Sequence, residues 1–475
     1  MPFTQGTYFV FLIAVFFAYW LIAGRLRWRV VFLIAASCFF YLQSGVRPLL
    51  LLLSVAVIDF TTTHLMSRYE NQTRRRWLLS LSLMVDIGAL CVFKYADFFI
   101  ESTARGLSLL GMTISVPQLN LIAPLGISFF IFQSVAYVVD VYRRDTEPAQ
   151  SFPEYLSFIT FFPTLVAGPI LRAKQWLPQL RSHVTLDAEM GGQALFLISI
   201  GLIKKIAIAD YLSANLVARV FDFPERFSAL EVLAAIYGYA LQIYADFSGY
   251  SDIAIGSALL LGFTLPENFN APYRSHNLPE FWRRWHISLS TWLRDYVFFT
   301  IVGRRARHAA MLYCGLIVTM LIGGLWHGPT WTFVLWGLLH GVGLALARAY
   351  ESVRNRFALS PRRTAWADGL SVLLTFHFVC LTWIFFRAET VGQALSILHQ
   401  LTTLTLSTAN LALPVLLIIA LGFITHWLPD DWWSATRRSF AHLPALAQAV
   451  ILVSLAFGLY SVASSDVVPF IYARF

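Results

Sequence analysis

The chain has 475 residues, 58% hydrophobic and 16% aromatic, and only 13% are charged, about half the share of an ordinary soluble domain. That composition excludes a soluble globular protein and indicates an integral membrane protein. The formal charge of +9 would suit a nucleic-acid binder, but the basic residues cluster at the ends of apolar runs, as they do where they orient membrane spans, so no nucleic-acid partner is expected.

Apolar runs near 8–23, 30–42, 49–65, 78–93, 121–141, 195–209, 230–243, 311–322, 331–346, 372–386, 411–427 and 447–460 predict ten to twelve helices. Several are shorter than the roughly 20 residues of a straight span, so some are re-entrant or buried in the bundle. The expected fold is all-α: a polytopic integral-membrane helical bundle with re-entrant and interfacial helices. Arg25, Arg27 and Arg29 follow the first run and Arg74, Arg75 and Arg76 the third, whereas only Arg47 follows the second. This bias predicts an outside N-terminus and puts Arg143 and Arg144 in the cytoplasm. The first run has no small-residue cleavage site and reads as retained. Cys38, Cys91, Cys314 and Cys380 lack CxxC spacing, which favours burial over a metal site or disulfides. Residues 1–475 read as one membrane-embedded domain: scaffold spans over 1–120, a core with the polar motifs over 121–347, and further spans over 348–475.

Within the scaffold, Asp59, His64 and Asp86 are polar exceptions, suited to helix ends or interhelical hydrogen bonds. Residues 101–120 read as a loop. Residues 161–169 are apolar yet contain Pro163, Gly168 and Pro169, so they read as re-entrant, which is tolerated only against protein or a water-filled cavity. Lys204 and Lys205 interrupt an apolar run, either snorkelling to an interface or meeting an anionic cofactor. Asp246 and Asp252 flank Phe247-Ser248-Gly249-Tyr250-Ser251 at a glycine-weakened point. Six residues apart, they do not share a helix face, which argues for support of the bundle over an acid/base dyad.

Asn277, Pro279 and Glu280 form a capping pattern for a helix expected to run unbroken from Phe281 to Arg294. Phe281, Trp285, Leu289, Trp292 and Tyr296 would form one aromatic stripe and Arg283 and Arg294 another face, with His286 on the seam one turn before Ser290. Such a helix is either an interfacial anchor or a wall that presents cations to a phosphate-bearing cofactor and a histidine to the chemistry. Arg304, Arg305 and Arg307 read as orientation signals.

The stretch Gly323-Gly324-Leu325-Trp326-His327-Gly328-Pro329-Thr330-Trp331 places a histidine where two apolar helices should meet. The glycine pair is expected to end the first helix and Pro329 to open the second, leaving His327 beside a helix N-terminus. There it either bonds the broken backbone or serves chemistry. His340 lies thirteen residues on, at no compact metal-ligand spacing, and no metal is expected.

Asp246 to Asp252, Asn268-Phe269-Asn270-Ala271-Pro272-Tyr273, Phe281 to His286 and Leu325-Trp326-His327-Gly328 together resemble the membrane-bound O-acyltransferase (MBOAT) family. The likeness is greatest to the bacterial branch with alginate O-acetyltransferase and the D-alanyl transferase of teichoic acids. The resemblance implies a bundle whose funnels meet at a thin central wall, where an acyl group passes from a cytoplasmic thioester to an acceptor on the far side. It implies catalytic roles for His327 and His286; the substrate contacts expected beside them are Arg283, Arg284, Trp326, Asp246 and Ser290. Acetyl-CoA is the implied donor, and the implied partners are a periplasmic acetyltransferase protein and a polysaccharide acceptor at a bacterial inner membrane. D-alanyl or peptidoglycan O-acyl transfer is the variant reading. An ion-coupled transporter is the alternative from another class, although the polar motifs do not recur in matching halves.

Overall fold

The computed structural model describes residues 2–112, 114–116, 119, 121, 123–303, 308–357, 364–462 and 470. Arg304, Arg305 and Arg307 lie outside the described residues. Among those described, all regular structure is helical, in two compact units, Met1–Leu186 with Ser257–Leu265 and Asp187–Gly256 with Pro266–Phe475.

The first unit contains α1 (Gly6–Ile22), α2 (Leu26–Leu42), α3 (Val46–Arg68), α4 (Gln72–Leu90), α5 (Ala96–Leu109), α6 (Ile127–Arg143), α7 (Phe152–Thr160), α8 (Phe162–Leu165) and α9 (Ala173–Arg181). The second contains α10 (Ala188–Leu202), α11 (Ala218–Asp222), most of α12 (Ala229–Leu260), α13 (Leu278–Arg284), α14 (Ile287–Trp292), α15 (Phe299–Val302), α16 (Ala309–His327) and α17 (Trp331–Arg356). It continues with α18 (Ala365–Arg387), α19 (Val391–Thr402), α20 (Leu413–Trp427), α21 (Asp430–Ala441) and α22 (Ala445–Val462).

Among the described residues six helical stretches are long and apolar enough to cross a membrane: Val46–Arg68, Gln72–Leu109, Ala309–His327, Trp331–Arg356, Ala365–Arg387 and Ala445–Val462. The pair α20 and α21, bent by 94°, would make a seventh if it is one broken span. This is a multi-pass membrane protein in which several of the expected ten to twelve apolar helices are not straight spans, as their lengths suggested. The runs at 121–141 and 230–243 became α6 and α12, which bury most of their side chains against protein, and apolar composition alone does not separate that from facing lipid.

In the first unit, buried Asp59 of α3 accepts hydrogen bonds from Ser82 of α4, Ser134 of α6 and, at 3.1 Å, the Tyr155 hydroxyl of α7. It is the interhelical role expected of an intramembrane carboxylate. The expected loop at 101–120 is helical as far as Leu109, and Leu119 N–H then folds back onto Asp97 at 2.8 Å. Residues 161–165 and 167–170 are buried, so the proline-broken stretch does lie against protein.

In the second unit α12 runs unbroken through Gly249, contrary to the expected weak point. The glycine serves close approach instead, since a Cβ there would lie 2.7 Å from the Gly201 carbonyl oxygen of α10 and 3.1 Å from Lys204 Cβ. Gly249→Leu should therefore part these helices and cost about 1–3 kcal/mol by overpacking, read as a lower thermal midpoint of the purified protein. An unchanged midpoint would mean that the contact is slack.

Likewise α16 runs through Gly323 and Gly324 to His327. A Cβ at Gly341 of α17 would meet Ile317 Cα of α16 at 2.7 Å. The small residues thus let two helices of a hairpin touch backbone to backbone.

Candidate active site

His327 is the last residue of α16, and α17 begins at Trp331. The imidazole thus sits at its own helix's C-terminus, at the break before α17, and the expectation that the glycine pair ends the first helix does not hold, because Gly324 packs against Phe333 and Gly337 of α17 and α16 runs on past it. The ring is caged by aromatic neighbours: Trp326 at 4.9 Å between ring centres, Phe386 at 4.9 Å and Trp336 at 5.0 Å.

The expected unbroken helix from Phe281 to Arg294 is two short helices, α13 and α14, divided at Trp285 and His286. His286 takes φ 42° and ψ 57°, the left-handed region that costs a non-glycine residue energy and persists only where its surroundings impose it. Asn268, in the loop after α12, imposes it here. Its carbonyl accepts Ile287 N–H at 2.9 Å, and its side-chain oxygen meets Ser288 N–H at 3.2 Å, Ser288 Oγ at 2.9 Å and His286 Nδ1 at 3.1 Å. These bonds replace those of a continuing helix and turn His286 from the expected seam into the interior. Burial pushes its imidazole down to about 3, so the ring is neutral at physiological pH.

Both histidines are buried, and one indole reaches both. Trp326 stands 5.8 Å from His286 and 4.9 Å from His327, with Phe247 of α12 closing the far side of His286 at 4.6 Å. Two imidazoles from distant parts of the chain thus share one aromatic wall. Such a pair can accept a proton from a hydroxyl and hold it in line for attack.

The other sequence-derived candidates fall in different places. Arg283 is exposed at the end of α13. Arg284 is held by Glu280 at 3.0 Å, and its Nη1 donates to the Asn270 carbonyl at 3.3 Å. Ser290 donates to the Trp285 carbonyl at 3.0 Å, closing the α13–α14 break. Asp246 is ion-paired with Lys205 at 2.7 Å, and Asp252 with Lys204 at 2.7 Å. Carboxylates six residues apart point about 120° away from each other on α12, and each meets its own lysine from the π-helical stretch Ile203–Asp210. The lysines, read as snorkelling or cofactor-binding, are therefore cross-helix partners of α12.

His340 accepts from Trp282 Nε1 at 3.3 Å and bonds Thr382 Oγ1 through Nε2 at 2.9 Å, a structural role. Asn277 accepts Glu280 N–H at 2.9 Å as expected, while Glu280 reaches back to His276 N–H at 3.0 Å, one residue short of a capping box. Asn268 stands in a motif of the sequence that gives it no role by polarity or spacing alone. His426 of α20, which no sequence motif marks, accepts Tyr273 N–H through Nε2 at 3.1 Å, and its ring stands 4.7 Å from Tyr244.

Residues 38–386 match the membrane-bound O-acyltransferase family, MBOAT. Over 398 residues, 83% of this chain and 73% of the relative, the chain is 38% identical to the Pseudomonas aeruginosa protein named "Probable alginate O-acetylase AlgI". A protein of that name from Azotobacter vinelandii is 35% identical over 490 residues, 94% of this chain and 95% of the relative. The "Peptidoglycan O-acetyltransferase" of Helicobacter pylori is 36% identical over 402 residues, 79% and 74% of the two chains. A match over most of the chain, on a polytopic helical fold, leads to one assignment: the chain belongs to the membrane-bound O-acyltransferase family and is an O-acyltransferase.

Proposed function

We propose that the protein takes an acetyl group from cytoplasmic acetyl-CoA and moves it across the bacterial inner membrane for O-acetylation of an extracytoplasmic polysaccharide, through a periplasmic acetyltransferase partner, with its own N-terminus outside. The observation that carries this reading is the shared aromatic wall of His286 and His327, to which the relatives' names add acetyl transfer to glycans.

A thioester is already activated, so catalysis consists of deprotonating a hydroxyl, positioning it and stabilising the oxyanion. His327 is the general base toward the acceptor hydroxyl. His286 orients that hydroxyl or bonds the developing oxyanion. The donor's phosphates meet Arg283, since Arg284 is already engaged by Glu280. Trp326 forms the wall against which the acyl group lies, while Asp246 and Ser290 hold the site's frame.

Protein reconstituted in vesicles and given radiolabelled acetyl-CoA with alginate-type and peptidoglycan acceptors should label one of them. Label on neither, with or without added periplasmic fraction, would remove the acetyl reading. Arg283→Ala should raise the KM for acetyl-CoA by about tenfold, the loss of one charge-assisted contact, with kcat little changed. Equal KM in both proteins would make Arg283 a membrane anchor.

A further inference from the structure

We propose that Asn268 fixes the tautomer of His286, placing the proton on Nδ1 and leaving Nε2 to accept the hydrogen bond of the acceptor hydroxyl. The proposal deepens the acetyl-transfer reading and rests on it for the identity of that hydroxyl.

Ser288 supplies a donor that has no alternative role. The backbone N–H of Ser288 meets the side-chain atom of Asn268 at 3.2 Å, and a backbone N–H only donates, so the atom facing it is the amide oxygen. The other end of the amide, Nδ2, is then free to donate to the Ser251 hydroxyl of α12, 3.2 Å away. An amide oxygen only accepts, so the hydrogen in the 3.1 Å contact with His286 comes from Nδ1. A neutral imidazole has one N–H, and with it on Nδ1 the lone pair is on Nε2.

The assignment decides between the two roles open to His286. In its neutral form it cannot donate through Nε2 to an oxyanion, so it orients the docking hydroxyl by accepting its one hydrogen, which then swings to His327 and is removed by that base as the oxygen attacks the thioester carbon. Asn268 is then a positioning residue that acts through the ring. It lies in the loop between α12 and α13, and its backbone carbonyl, by accepting Ile287 N–H at 2.9 Å, holds the same turn that aims the imidazole.

The test uses full-length protein in lipid, labelled with ¹⁵N-histidine, with the His286 signals identified by subtracting a His286→Asn spectrum. Solid-state NMR should show Nδ1 as the protonated, pyrrole-type nitrogen and Nε2 as pyridine-type. Asn268→Asp keeps an acceptor oxygen in place and should keep that pattern. Asn268→Leu removes it and should move the proton toward Nε2, lowering kcat by on the order of 10²–10⁴ with little change in the KM for acetyl-CoA. A wild-type spectrum with Nδ1 unprotonated overturns the proposal, whether or not the leucine variant folds. So does an Asn268→Leu protein with wild-type kcat. Wild-type protein with protonated Nδ1 but no transfer from acetyl-CoA would support the tautomer and sink the donor reading instead.

Discussion

Replacing His327 by alanine is expected to abolish acetyl transfer while the protein still inserts and folds. A positioned general base contributes about 10²–10⁴-fold, or roughly 3–5 kcal/mol of barrier at 1.36 kcal/mol per tenfold. Background attack by the bare hydroxyl would then fall below detection. The side chain also fills a cage of Trp326, Trp336 and Phe386, so alanine leaves a cavity and loses packing as well as chemistry. His327→Gln separates the two effects, because glutamine fills much of the space yet cannot take up a proton. If the glutamine protein melts like wild type and transfers nothing, the imidazole is catalytic. If it retains turnover, His327 leaves the mechanism and the cage is only packing.

How much of this was legible in the sequence depends on how far apart the deciding residues lie. The meeting of two helices at His327 was readable locally, because Gly, Trp, His and Pro crowd nine positions. The end of α16 was not, since Gly323 and Gly324 look like a stop signal until Leu293 is seen packed against the first and α17 against the second. Likewise the residues from Phe281 to Arg294 carry a good helical pattern, and nothing among them announces a break at His286. The break is made by Asn268, eighteen positions upstream, whose carbonyl and amide take over the bonds of the interrupted turn. A pattern of period 3.6 reports what a segment prefers and not what a distant loop imposes on it. Asn268 left one signal, its place in a motif quoted for resemblance, but polarity alone gave it no role. Asp246 and Asp252 were recognised as costly and in need of partners, and Lys204 and Lys205 were recognised as misplaced. Pairing them required knowing that Gly201 and Gly249 bring α10 and α12 into backbone contact.

That pairing carries the second large effect. Lys205→Met is expected to destabilise the protein by about 3–5 kcal/mol, the usual cost of removing one partner from a buried ion pair. Lys205 serves two carboxylates at once, Asp246 at 2.7 Å and Asp210 at 2.6 Å, and its side chain is only 6% exposed. Lys204 and Asp252 are also 2.7 Å apart, but about a fifth of each side chain reaches the surface, at 21% and 19%. Solvent screens that pair, so Lys204→Met should cost less than Lys205→Met. Thermal unfolding of the two purified variants in the same detergent checks the order, and equal midpoints would contradict it. The double variant Lys205→Met with Asp246→Leu should recover part of the loss, because it withdraws the two most deeply buried of the three charges and leaves apolar side chains of similar volume, while Asp210, 17% exposed, keeps some access to solvent. Function should follow stability here by a short route. Asp246 adjoins Phe247, whose ring is 4.6 Å from His286, so releasing this turn of α12 loosens one wall of the site. The single variant should therefore lose kcat at temperatures well below its melting point, and the double variant should regain it. A double variant that regains its melting point but not its kcat would show that the charge at Asp246 acts on the reaction itself, as the sequence-based expectation of a substrate contact requires.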